Sequence, residues 1–128
     1  GDYANIVVDS PAGLEHLNRK VIPNVDDLFL ILDPSMKSIK HVERVRRITE
    51  EVGISYKHLY LVGNYEFDDE AEQRLGRSSG IYMGKMDYDA NVKDYNLKGE
   101  SLLNLPGDSP ACLSAKKILV EAGYKISL

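Results

Sequence analysis

Four acids and one amide stand in this chain where chemistry could use them: Asp9, Asp33, Asp87, Asp89 and Asn64. Asp9 closes the short run Ile6, Val7 and Val8, and Ser10, Pro11 and Gly13 follow at once. β-branched apolar residues favour a strand, while Ser, Pro and Gly break it into a loop. The sequence therefore predicts a buried strand that delivers a carboxylate to its own C-terminal edge. In an open parallel sheet that edge is where ligands bind, which makes Asp9 a candidate for magnesium or phosphate chemistry. Gly13, free in its backbone angles, is a candidate for a moving loop. A strand that ends in Asp before a plain turn has the same pattern, and the residues alone leave both readings open. Asn64 closes the apolar run HLYLVG at the same edge of the sheet, where its side chain suits a left-handed turn and its amide carries both a donor and an acceptor.

Other constellations carry less. Asp87, Asp89 and Asn91 imitate the opening of a calcium loop, but Val92 stands where that loop needs glycine and Lys98 where its closing glutamate belongs, which excludes calcium. His16, His41 and His58 have no ligand spacing, and the single cysteine, Cys112, shares a helical stripe with Ala115, Leu119 and Ala122, the pattern of a core thiol. Lys37, Lys40, Arg44, Arg46 and Arg47 surround one helix but are offset by Glu43, Glu50 and Glu51, as on a solvated helix surface. A net charge of -4 argues against nonspecific nucleic-acid binding. One cysteine cannot form an internal disulfide, and no apolar run is long enough to span a bilayer, so the expected compartment is the cytoplasm, with no membrane partner.

The elements that must position these residues alternate. After the strand at residues 6–8, Leu14, Leu17 and Val21 predict a short helix that stops before Pro23. Residues 28–32, LFLIL, form a continuous apolar run ended by Asp33 and Pro34, as expected of a parallel strand buried on both faces. Ser38 is the expected N-cap of a helix with the stripe Ile39, Val42, Val45, Ile48 and Val52, stopped by Gly53. Residues 58–63 give the next strand, 68–75 a helix opened by acids, and 81–83 a short fourth strand. A polar loop is expected up to Gly99, and Ser109-Pro110 opens a last helix that ends at Gly123. At 128 residues the chain can bury roughly two thirds of its unfolded surface, so one domain over residues 1–128 is expected. The class is α/β: a three-layer, mostly parallel sheet flanked by helices.

Residues 9–19, DSPAGLEHLNR, resemble the second nucleotide-site segment of the deviant Walker A ATPases, the ParA and MinD type; Glu15, His16, Leu17 and Arg19 are most similar to the CooC-type ATPases that insert nickel into carbon monoxide dehydrogenase. The likeness continues to about Lys117. Those proteins carry a glycine-rich, lysine-bearing phosphate loop, and no G-x-x-x-x-G-K-S/T or deviant equivalent occurs here. The chain thus resembles the C-terminal half of such a P-loop fold, lacking its phosphate-loop half, and Gly1 followed by Asp2 and Tyr3 fits the start of an excised piece. The resemblance implies that Asp9 serves a magnesium ion and its water, that Gly13 lies in a loop moving with the γ-phosphate, and that Asn64 contacts adenine. It also implies that the segment 84–92, with Asp87 and Asp89, closes over the base. Tyr65 departs from the lysine or arginine usual after that asparagine, and Asp87 stands where a proline is usual.

The function so implied is ATP binding and hydrolysis in the intact protein, with ATP or ADP and magnesium as cofactors, a nucleotide-dependent homodimer, and carbon monoxide dehydrogenase as client. No nickel site is expected in this chain, whose cysteine does not supply the closely spaced pair of the CooC type. Alone, the chain is expected to bind ATP weakly and not to hydrolyse it. A MinD- or ParA-type positioning ATPase and a nucleotide-free, receiver-like regulatory module are the alternatives. In the resembled fold the phosphate-loop strand lies between the strands ending at Asp9 and Asp33. The two are therefore expected either to pair directly or to be completed by the missing half or a second chain.

Overall fold

The computed structural model describes residues 5–9, 24–76 and 80–126. Three strands, β1 (Asn24–Leu32), β2 (Ser55–Gly63) and β3 (Ile81–Lys85), alternate with four helices: α1 (Met36–Val52), α2 (Asp69–Leu75), α3 (Ala90–Lys98) and α4 (Pro110–Glu121). A 3-10 turn, Leu102–Asn104, joins the last two. The strand order is β1-β2-β3 and both pairings are parallel, as alternating β and α elements require.

Register sets the two faces of the sheet. Leu28 pairs with Leu59 and Leu30 with Leu61, so side chains of one parity converge on the face covered by α1 and α2. There Leu32, Ile39, Val42, Leu59, Leu61, Phe67, Ala71 and Leu75 form the main core, with Tyr82 packed at its margin. Residues of the opposite parity, Phe29 and Tyr60, stack at 5.0 Å, and Tyr124, just past α4, packs on Phe29 from that side. On this second face α4 packs against β3 and Ile31 of β1 is left exposed. Between Leu61 and Gly63 the β2–β3 register slips by one residue, a bulge at Gly84, whose φ of +110° a side chain would strain.

Several expectations shift. Ile6, Val7 and Val8 are not a strand: residues 5–9 lack regular structure and all five are exposed. A strand needs a hydrogen-bonded neighbour, and among the described residues the run 6–8 pairs with no strand while β1 pairs only with β2. Direct pairing of the two runs therefore does not occur. The helix expected from Leu14 lies outside the described residues. Helix α1 begins three residues early, capped by Ser35, whose hydroxyl accepts from the Ser38 N–H at 3.1 Å. Its buried stripe ends on Thr49, which donates to the Arg46 carbonyl, and Ile48 is only half-buried. The polar stretch before Gly99 contains a helix, α3, invisible to hydrophobic periodicity because none of its residues is buried. On α4 the buried positions are Ser114 and Ile118, which leaves Cys112 half-buried. Among the described residues no helix is long and apolar enough to cross a membrane.

Candidate functional site

The C-terminal ends of β1, β2 and β3 bring Asp33, Asn64 and Asp87 to one edge of the sheet. Between the first two lies an open cleft of about 470 Å³ lined by Asp33, Pro34, Ser35, Asn64 and Glu66. Edge hydrogen bonds tie the strand ends together: the Asn64 N–H donates to the Leu32 carbonyl at 2.7 Å, and the Met86 N–H to the Gly63 carbonyl at 2.8 Å.

Each wall of the cleft has a local cause. Asp33 folds the β1–α1 turn on itself: its Oδ1 accepts from the Ser35 N–H at 2.8 Å and from the Ser35 hydroxyl, while its own N–H donates to Ser38 Oγ at 3.1 Å. The Ser35 hydroxyl and then the Ser35 N–H hold its carboxyl below the ordinary carboxylate range. Opposite, Asn64 opens a tight turn in which its carbonyl accepts from the Phe67 N–H at 3.1 Å and its Oδ1 from the Glu66 N–H at 2.9 Å. One lone pair of Oδ1 and both Nδ2 protons have no partner among the described residues, the two functions a purine edge needs. Phe67 is the anchor of the turn. It is buried over Gly63, where a Cβ would lie 2.5 Å from its ring, so strand, turn and aromatic plug form one unit.

After β3 the loop is held from both sides. The Asp87 N–H donates to Ser114 Oγ at 2.9 Å, leaving the carboxylate exposed. Asp89 is buried, and its two oxygens serve two helices: Oδ1 accepts from the Asn91 N–H at 2.9 Å as the N-cap of α3, and Oδ2 from the Ala111 N–H at 3.0 Å in the first turn of α4. Ser109, in the N-cap position of α4, makes no side-chain cap bond, and Asp89 takes that task. The Ala111 N–H above all, then that of Asn91, keeps the Asp89 carboxyl below its usual range despite burial. Sequence reasoning places Asp89 in a loop expected to close over a base; in the structure it ties that loop to the first turns of α3 and α4. Between the two acids Tyr88 reaches out and meets Tyr65, the residue after Asn64, with ring centroids 5.5 Å apart in a T-shaped arrangement.

Of the remaining sequence candidates, Asp9 sits in the exposed segment 5–9, and Gly13 lies outside the described residues. No group of three or more His, Cys, Asp or Glu side chains able to hold a metal occurs among the described residues. The edge presents an amide and two aromatic rings, and Asp9, the candidate magnesium ligand, lies on a segment that pairs with no strand among the described residues. Sequence reasoning missed Phe67, which packs over Gly63 four residues before it, and also Ser114 and the meeting of the two tyrosines, which join segments more than twenty residues apart.

No family model and no solved structure matches the chain. It is 32% identical over 123 residues to an uncharacterized ATP-binding protein of Methanocaldococcus jannaschii, an alignment covering 91% of this chain and 47% of that protein. A second uncharacterized ATP-binding protein of the same organism is 28% identical over 120 residues, covering 88% and 44%, and a third 34% identical over 74 residues, covering 58% and 28%. The chain is a distant homologue of these proteins and spans about half the length, or less, of the curated relatives it matches.

Proposed function

We propose that this chain is the base-binding, C-terminal half of an ATP-binding protein whose other half carries the phosphate loop. The observation that carries the reading is Asn64: its amide stands at the C-terminal edge of a parallel sheet beside an open cleft, in a chain that aligns over 91% of its length with a protein named as ATP-binding. Asn64 would read the adenine, and Asp89 would fix the loop that brings Asp87 to the base. Asp9 would meet magnesium, whose charge assists phosphoryl transfer when the ion is bound. Gly13 would belong to the loop sensing the γ-phosphate.

The intact protein would hydrolyse ATP as a nucleotide-dependent homodimer. Among the described residues the outer edge of β1 has no paired strand, which supports this division because an unpaired edge is a template for one more strand. The finer role, metallocentre maturation with nickel insertion into carbon monoxide dehydrogenase, rests on the likeness of Glu15, His16 and Leu17 to the CooC type. Positioning by a MinD- or ParA-type cycle is the competing role. In the intact protein Asp9→Asn should abolish turnover and leave adenine-nucleotide binding in place, whereas Asn64→Ala should weaken binding about tenfold, the loss of one to two hydrogen bonds. Full binding in Asn64→Ala would sink the assignment. Magnesium-ATP should titrate into this chain alone with no better than millimolar affinity, since the phosphates dominate affinity in this class.

A further inference from the structure

Two large aromatic rings stand out at the same sheet edge where exposure brings them no stability. Tyr65 is 52% exposed and Tyr88 56% exposed, although each sits on a backbone locked by its neighbours. Tyr65 occupies the second position of the turn closed by the Phe67 N–H to the Asn64 carbonyl, with Phe67 buried beneath and Asn64 Oδ1 holding the Glu66 N–H. Tyr88 lies between Asp87, whose N–H is held by Ser114, and Asp89, whose carboxylate is held by two helix N-termini. The anchors come from separate parts of the chain, yet the rings meet at 5.5 Å and 60°. An edge-to-face pair leaves broad ring faces uncovered, and a fixed backbone removes most of the ordering cost of stacking on them.

We propose that Tyr65 and Tyr88 form a preorganised aromatic platform that stacks on the ring of a purine nucleotide while Asn64 reads the edge of the same ring. The platform rests on the nucleotide reading above and adds what that reading lacks, a source of base affinity independent of the phosphates. It also accounts for Tyr65: a flat ring at this position offers stacking area where a lysine or arginine would offer charge. A side-chain hydrogen bond to Glu66 holds the Tyr65 phenol above the ordinary tyrosine value. Purines stack over more area than pyrimidines, and the platform should prefer them.

Nuclear magnetic resonance titration of this chain with adenosine, which needs no phosphate loop, separates the outcomes. Adenosine should shift the Tyr65, Tyr88 and Asn64 resonances together, with uridine binding several-fold more weakly. Tyr65→Ala and Tyr88→Ala should each weaken adenosine binding about tenfold, while Tyr65→Phe and Tyr88→Phe retain it because stacking does not use the hydroxyl. Both side chains are exposed, so the alanine variants should keep the melting temperature of the parent chain. Adenosine that shifts Asn64 with unchanged affinity in both alanine variants would overturn the platform and leave the nucleotide reading standing. No shift at Asn64 with adenosine or ATP would overturn both.

Discussion

Residues 58–63 and residues 6–8 are both apolar runs that close on a polar residue, yet one is a core strand and the other is exposed coil. In β2, Leu59, Tyr60, Leu61 and Val62 are buried, Tyr60 and Leu61 pair with β1 on one side and β3 on the other, and the run ends in a turn plugged by Phe67. In the segment 5–9, Ile6 is 77% exposed, Val7 92% and Val8 56%. Composition does not separate them, since Ile and Val favour strands as strongly as Leu and Tyr. Neighbours do. β2 has partners for both rows of backbone groups, whereas residues 6–8 pair with no strand among the described residues. Strand propensity is a preference that pairing must complete, and the candidate site lies at strand ends where β1 and β3 supply that pairing to β2.

The comparison breaks first at Phe67. Removing this plug should cost about 3–5 kcal/mol, the loss of a large buried ring together with the cavity it leaves, read as a fall in the urea midpoint of unfolding. Gly63→Ala attacks the same unit from the other side by placing a Cβ against the ring, and should cost about 1–3 kcal/mol. If either substitution left stability unchanged, the turn presenting Asn64 and Tyr65 would not be held as described.

Next comes the clamp after β3. Asp89 is more acidic in the folded chain than in the unfolded one, so its contribution is present above the ordinary aspartate value of about 3.9 and is lost as pH falls through the lower folded value. Asp33 acts in the same direction. Asp89→Asn should lower the melting temperature at neutral pH and flatten its fall between pH 5 and pH 2 in thermal scans. An unchanged acid profile would remove Asp89 from the role of double cap. On the opposite face Tyr124 donates to Asp27, which also meets His58 Nδ1 at 2.8 Å. That bond, followed by burial, pushes the Tyr124 phenol up to about 12. Its contribution is therefore complete below the ordinary tyrosine value of about 10 and is lost as pH rises through about 12, the reverse of the aspartate case. Tyr124→Phe should remove part of the alkaline loss of stability while costing about 1 kcal/mol at neutral pH.

What the chain discloses by itself follows the range of the forces involved. The stripe Ile39, Val42 and Val45 announces α1 because one helix face meets one sheet, and the run 28–32 announces β1 by its unbroken apolar character, although the expected burial on both faces fails at the exposed Ile31 and only Leu32 is fully buried. Helix α3 escapes because it buries nothing; its signals are the Asp89 cap and Gly99 past its end, both short-range and both easily taken for loop residues. In the candidate site, the place of Asn64 at a strand end is legible, since the apolar run before it is local. The Tyr65–Tyr88 meeting and the reach of Asp89 to Ala111 are not, because each joins segments more than twenty residues apart.

The smallest expected effect sharpens the comparison most. Val7→Ser in this chain removes an apolar side chain that is already 92% exposed, so no buried contact is lost and no cavity forms. The change in unfolding free energy should stay within about 0.5 kcal/mol, the usual scatter of surface substitutions. The equivalent change at Leu61, buried in the middle of β2, should cost several times more, because it leaves a cavity and sets a hydroxyl without a partner in the core. Measured side by side in urea, the two substitutions test whether residues 6–8 belong to the folded unit of this chain. Joined to a phosphate-loop half that supplies the intervening strand, Val7 would be buried on forming its strand, and Val7→Ser should then rise towards the cost at Leu61. A penalty of several kcal/mol in this chain alone would mean that residues 6–8 already dock on the sheet and that the outer edge of β1 is not the place of the missing strand.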